Sequence, residues 1–376
     1  MNVPLLDLTA QYGPIKDDVL AAMISVVERQ RFILGEEVVA LEEAIATLSG
    51  VRRAVSVASG TDALLLPLKL LDLKPGDEVI VPSFTFFASA GAVVNAGGVP
   101  VFVDIDPGTF NVTAASVEAA ITPRTRAIIV VHLFGQMAPM DDLVPLSANR
   151  GIPLIEDAAQ SIGARRKVEG SWRVAGEMGW VGTLSFFPTK NLGGYGDGGM
   201  ILTQDTVLAD RLARYRRHGG AKDYHHDEVG TNSRLDTLQA AVLLAKLPSL
   251  ASWSAARRER ALRYSESLVQ IPEVTPPVVD QANEHIFHQF TIRAERRDTL
   301  KKFLADRGIG TGVYYRVPLH QQPCFAGLAE GKPPLVMTDQ AAREVLSLPV
   351  YPELTDAQQD WVIESIRAFY LHDQGN

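Results

Sequence analysis

Seven short apolar runs recur between residues 54 and 203: "AVSVA" (54–58), "EVIVP" (78–82), "VPVFVDI" (99–105), "AIIVVHL" (127–133), "IPLIED" (152–157), "TLSFF" (183–187) and "GMILT" (199–203). Most are separated by stretches of helical texture, such as "GTDALLLPLKLL", "FFASAGAVVNAG" and "MDDLVPLSANR". A strand that is apolar on both faces must be covered on both, and alternation with helices supplies the covers. The pattern therefore predicts an α/β fold with a mainly parallel sheet between two helical layers. The last two runs are joined by a loop too short for a parallel crossover, so one of them is expected to run antiparallel.

Two amphipathic stretches precede the runs. Val19, Met23 and Val26 in "KDDVLAAMISVVERQ" recur at helical spacing, as do Val38, Leu41, Ile45 and Leu48 in "GEEVVALEEAIATLSG", where Gly50 is a natural stop. Between them "RQRFILG" has no period and reads as a loop. Beyond "DTVLADRLARYRRHG" the texture changes. "SRLDTLQAAVLLAKL" and "LASWSAARRERALRYSESL" read as consecutive helices that carry the chain away from the sheet. A smaller α+β unit is expected to follow: strand "HIFHQFTIRA", helix "RRDTLKKFLADRG", strand "GTGVYYRV" and two closing helices. The expected division is an N-terminal arm and large domain over 1–248 and a small domain over 249–376.

The chain's 376 residues carry a net charge of -8, which argues against a nucleic-acid surface. The segment "MNVPLLDLTAQYGPIKDD" lacks the cationic head and apolar core of a secretory signal, and no apolar run approaches a bilayer span. With one cysteine, Cys324, there is no intrachain disulfide framework. The expectation is a cytoplasmic protein without membrane or nucleic-acid partners.

In open α/β sheets, ligands bind beyond the carboxyl ends of the strands, so the residues just after each run carry the functional argument. After "AVSVA" comes "SGTDALL", small residues opening onto a helix, which present free N–H groups and a positive dipole end to a phosphate; Ser59 with Asp62 is equally an ordinary cap. After "IPLIE" comes Asp157. A carboxylate ending an interior strand requires a partner, either a protein donor or a cationic ligand nitrogen. After "TLSFF" comes Lys190, followed by "NLGGYGDGGM". Gly194, Gly196 and Gly199 match the dinucleotide fingerprint, but that loop must open a helix, and here it precedes the strand-like "MILT". The nucleotide-loop reading fails. A phosphate cradle, a carboxylate and a lysine together match the needs of pyridoxal 5'-phosphate. Phe84, Phe86 and Phe87 in "PSFTFFAS" offer one ring to stack on the cofactor, the other two being expected in the core.

In joint order and spacing these motifs resemble the DegT/DnrJ/StrS-type nucleotide-sugar aminotransferases. The resemblance runs from "PLLDLTAQY" and "FILGEEVVALE" through "SGTDAL", "GDEVIVPSFTF", "IEDAAQSIGA", "SFFPTKNLGGYGDGGM" and "NSRLDTLQAA" to "GVYYRVPLHQQP". It implies a fold-type I enzyme dependent on pyridoxal phosphate, with a mixed seven-stranded sheet and a small C-terminal domain. It implies Lys190 as the Schiff-base lysine, Asp157 as the pyridinium partner, Gln160 near the cofactor's 3'-oxygen and Phe86 against the ring. Gly60, Thr61 and Ser185 are implied as phosphate ligands, with Asn232 reaching the phosphate from the other subunit of a homodimer. The implied substrates are L-glutamate and a keto-sugar linked to a nucleoside diphosphate. The implied substrate surface draws on Phe32, His132, Tyr195, Arg234, Tyr314, Tyr315, Arg316 and His320. His132 and Gln136, at a strand end, are placed to face the sugar, and for His132 a structural hydrogen bond is an equal reading. The family often has His-Tyr-Pro where this chain has Tyr314, Tyr315 and Arg316, so relatives' sugar specificity does not carry over there. The "AQY", "HLFGQ" and "NSRLDTLQAA" stretches resemble 3-keto-sugar enzymes more than 4-keto ones. The alternatives are a 4-keto-sugar or cyclitol aminotransferase, or a non-catalytic regulator on the same fold.

Overall fold

The computed structural model describes residues 1–220, 224–328 and 332–372. All seven apolar runs become strands of one sheet: β1 (Arg53–Val57), β2 (Glu78–Pro82), β3 (Val99–Val103), β4 (Thr125–Val131), β5 (Leu154–Asp157), β8 (Val181–Ser185) and β9 (Gly199–Thr203). A hairpin of β6 (Arg165–Val168) and β7 (Ser171–Val174) interrupts the series. The sheet order is β1-β9-β8-β5-β4-β2-β3. Neighbours are parallel except around β9, which is antiparallel to both β1 and β8. The short loop between β8 and β9 thus forces one reversal, as its length requires.

The two faces of the sheet bury different residues of the same strands, as the two-residue strand period dictates. Ile80, Ile128 and Val130 pack with Leu41 and Ile45 of helix Glu36–Ser49 and Leu143 of helix Met140–Arg150. Val79, Val81, Ile129 and Val131 pack with Leu64 and Leu68 of helix Gly60–Leu70 and Val93 of helix Ala88–Ala96. The carboxyl ends of β2, β4, β5 and β8 therefore emerge on one edge between the helical layers.

Past a 3-10 turn at Leu247–Ser249, helix Leu250–Leu268 leads to a second core in which Tyr264, Phe290, Leu300, Leu346 and Ile366 meet. Val3 joins this core, and its backbone bonds Gly308 and Gly310. The small sheet is β10 (Val274–Thr275), β12 (Phe290–Ala294) and β13 (Val345–Leu348), all antiparallel, while β11 (Asn283–Glu284) pairs with β6. Two expectations fail here. Residues 310–317 form no strand, only an isolated bridge of Gly312 to Ser347; the place beside β12 belongs to β13, with Val345, Leu346 and Leu348 fully buried. The strand expected from His285 begins only at Phe290, because Ile286 and Gln289 bond instead to the carbonyls of Gly135 and Phe134 at the large sheet's edge.

Candidate active site

The strand ends and the 310–322 segment enclose a cavity of about 770 Å³. Ser59, Gly60, Thr61, Phe86, Asp157, Gln160, Ser185, Lys190, Tyr314 and Tyr315 all line it.

At the end of β1, Ser59 caps helix Gly60–Leu70, its hydroxyl accepting from the Asp62 N–H at 3.1 Å. The capping and phosphate readings coexist, since the cap side chain leaves the other first-turn N–H groups free. Gly60 has no alternative: a Cβ there would lie 2.7 Å from Cβ of Ser185. That contact brings β8's last residue onto the cradle.

Asp157 ends β5 and is buried. The Ser89 hydroxyl donates to Oδ2 at 2.8 Å and the Ala159 N–H to Oδ1 at 3.2 Å. Burial raises its carboxyl above the ordinary value, opposed by these two donors and by Lys190. Two hydrogen bonds leave this carboxylate short of the compensation a buried charge needs, and a cationic ligand nitrogen would supply it.

Lys190 follows β8, with its N–H bonded to the Phe187 carbonyl at 2.9 Å. Its side chain opens into the cavity and is otherwise enclosed by protein. That desolvation draws its amine down to about 8, with Asp157 pulling the other way.

Gln160 uses both ends of its amide. Oε1 accepts from the Phe134 N–H at 2.8 Å and Nε2 donates to the Tyr315 hydroxyl at 3.0 Å. It therefore fixes the cavity wall as well as facing the cavity. Phe84 alone of the three phenylalanines is core; Phe86 and Phe87 are exposed, Phe87 stacking on Phe325 at 5.4 Å between centroids. The expectation that two of the three are core is corrected. Phe86 presents its ring to the cavity, 6.4 Å from that of Tyr315.

Several expected substrate residues lie elsewhere. His132 is wholly buried between Glu156 and the Ala138 N–H, at 2.8 and 3.1 Å, and does not reach the cavity. Gln136 spends its amide on Val278 and Asp280. Arg316 pairs with Asp298 at 2.8 Å on the surface, because a guanidinium finds a carboxylate there at no desolvation cost. His320 bridges Ser83 and Asp339 at 2.7 and 3.2 Å and braces the cavity wall from behind. Phe32, Tyr195, Arg234 and Asn232 also lie outside this chain's cavity; Phe32, Tyr195 and Asn232 are exposed and Arg234 half-buried.

Sequence reasoning missed Ser89 and His288. Ser89 sits in the first turn of the helix after β2, and only its nearness to Asp157 marks it. His288 lines the cavity, and its Nδ1 lies 3.0 Å from Oδ1 of Asn191, the residue after Lys190. Burial, Lys190 and Arg257 hold its proton affinity well below the usual histidine range, so it is a neutral imidazole. The visible signal was "HIFHQF", read only as strand.

The amine, the under-compensated carboxylate, the helix N-terminus with Thr61 and Ser185, and the exposed Phe86 ring converge on one cavity. This donor set fits pyridoxal phosphate: Lys190 for the covalent link, Asp157 for the ring nitrogen and residues 59–61 with Ser185 for the phosphate.

Known proteins resemble the chain over nearly its whole length. The model of the DegT/DnrJ/EryC1/StrS aminotransferase family matches residues 14–367. A "Pleiotropic regulatory protein" of Geobacillus stearothermophilus is 48% identical over 375 residues, 99% of this chain and 100% of that one. A UDP-N-acetyl-3-dehydro-alpha-D-glucosamine 3-aminotransferase of Acidithiobacillus ferrooxidans is 46% identical over 356 residues, 95% of each chain. The crystal structure of DesV from S. venezuelae superposes with a TM-score of 0.93 at 43% identity, covering 98% of both chains.

Proposed function

The chain belongs to the DegT/DnrJ/EryC1/StrS aminotransferase family, and from that premise we propose that it moves the amino group of L-glutamate to C3 of a keto-sugar linked to a nucleoside diphosphate, releasing 2-oxoglutarate. The observation that carries this reading is the meeting of Lys190 and Asp157 in one cavity beside the residue 59–61 cradle. The choice of C3 draws on the 3-aminotransferase relative.

When bound, pyridoxal phosphate supplies an electron sink for the negative charge that develops on the carbon losing its proton. The protein does the rest. Lys190 would hold the cofactor through Nζ, and its free amine would carry a proton on that atom. An amine drawn down to about 8 is partly unprotonated near neutral pH, as a general base must be. Asp157 would hold the proton on the ring nitrogen by its charge; an ion pair at ~4 Å is worth roughly 4 kcal/mol at an effective dielectric near 20. Ser89 keeps that carboxylate oriented. Phe86 would lie against the ring, and Tyr315, fixed by Gln160, would help to exclude water.

The site works, in this reading, in a cytoplasmic homodimer, with Asn232, Phe32 and Tyr195 serving the neighbouring subunit. Their exposure outside this chain's own cavity supports that assignment. We divide the chain at about residue 248, supported by the separate C-terminal core. A purely regulatory role gives no reason to enclose an amine and a carboxylate together, despite the name of one relative.

The test is 2-oxoglutarate release from L-glutamate in the presence of 3-keto and 4-keto nucleotide sugars. Turnover is expected with the 3-keto sugar and is expected to vanish in Lys190→Ala. Faster turnover of the 4-keto sugar would overturn the assigned carbon, and an active Lys190→Ala would overturn the assigned base.

A further inference from the structure

Helix Thr237–Lys246 carries a buried lysine that the reaction does not use. Lys246 is 2% exposed, and its ammonium donates to the Gly193 carbonyl at 2.6 Å. Two aromatic faces complete its surroundings, Tyr195 at 5.4 Å and Trp253 at 6.0 Å. Burial draws it down to about 8, with no carboxylate pulling back. A buried cation with one carbonyl acceptor is a costly way to join a helix to a loop.

Gln239 lies seven residues earlier, two turns along the same helix face. Its Oε1 accepts from the Tyr195 N–H at 2.7 Å. The glycines of the loop are shaped to this amide. A Cβ on Gly194 would stand 2.8 Å from Gln239 Oε1, and one on Gly196 2.9 Å from its Nε2. A Cβ on Gly193 would stand 2.3 Å from the Pro188 carbonyl oxygen. Between Gln239 and Lys246, Leu243 packs in the same cluster as Leu192 of the loop. The loop then closes on its own start: the Gly194 N–H bonds the Phe186 carbonyl at 2.8 Å, and the Lys190 N–H bonds that of Phe187 at 2.9 Å. The helix face thus touches the backbone three to five residues beyond Lys190, and that backbone is tied to the turn on which Lys190 sits.

We propose that Gln239 and Lys246 are positioning residues, a two-point clamp that fixes the glycine loop and thereby the place of Lys190 in the cavity. Neither side chain lines the cavity or touches the reacting atoms. The inference rests on Lys190 being the residue that links the cofactor.

The experiment follows growth of the visible band when apoenzyme is mixed with pyridoxal phosphate, alongside thermal unfolding, in wild type, Lys246→Met, Lys246→Arg and Gln239→Ala. Met keeps the apolar stem and removes the buried charge, so its melting temperature is expected to equal or exceed that of wild type. Band formation is expected to slow at least tenfold in Lys246→Met and in Gln239→Ala, and to return to within threefold in Lys246→Arg. Rates within twofold of wild type in both Lys246→Met and Gln239→Ala would overturn the clamp. If Lys246→Met does not fold, Gln239→Ala decides alone by the same limits. A wild-type protein that forms no band contradicts the function proposed for Lys190, a result distinct from failure of the clamp.

Discussion

Glu156 and Asp157 are adjacent carboxylates on β5 with opposite surroundings, because consecutive strand residues face opposite sides of the sheet. Glu156 accepts from the backbone N–H groups of Gly176, Met178 and Gly179 and from His132, and is fully satisfied in the interior. Asp157 turns to the cavity with two donors and room for a third. The sequence presents both in "IEDAAQ", and the position at the strand end singled out the one that lines the cavity. It left His132 undecided, since a strand-end histidine looks the same whether it meets a sugar or a neighbour's carboxylate. The Ala138 N–H donates to Nδ1, so the ring proton lies on Nε2 toward Glu156. His132→Phe removes one charge-assisted donor from a buried carboxylate and is expected to cost about 2 kcal/mol of stability. The melting temperature should fall while KM for the sugar stays within twofold. A raised KM with unchanged melting would return His132 to the substrate site.

Among the elements, the seven sheet strands were legible because their residues are apolar on both faces, and the reversal at β9 because the loop before it is short. The helix end at Gly50 followed from its glycine, and Gly97 and Gly151 close their helices in the same left-handed cap. The small domain was less legible. In "GTGVYYRV", alternating Val313, Tyr315 and Val317 imitate a strand, yet Tyr315 is spent on the cavity wall. The true partner of β12, "VLSL" at 345–348, follows directly on helix Val336–Glu344 and was hidden in its apolar continuation. The glycine run after Lys190 was separated from a nucleotide loop by the strand that follows it, but the side chain packed against it, Gln239, is 43 or more residues away in the chain, and no local pattern points to it.

At the scale of the molecule, the apolar surface that stays uncovered is informative. Leu20, Ile24 and Val27 follow one face of helix Lys16–Arg29, all exposed, and Phe32, Ile33 and Val39 are exposed as well. An exposed apolar helix face fits a partner surface, and the proposed homodimer would supply one. Inactive Lys190→Ala and Asn232→Ala subunits, when mixed, are expected to regain activity, because some dimers then hold one site with both residues intact. Mixtures as inactive as either parent would remove Asn232 from the neighbouring site. Which side chains would cross such an interface is not legible in one chain; Tyr195 and Asn232 are exposed outside this chain's cavity.

Whether Lys190 and Asp157 form a pyridoxal-phosphate aminotransferase site is read from the visible absorbance of the purified protein before and after L-glutamate is added without any sugar. The predicted result is a yellow band that bleaches with glutamate and returns when the correct keto-sugar is supplied. A protein that stays colourless after incubation with pyridoxal phosphate, or whose band glutamate leaves unchanged, would contradict it.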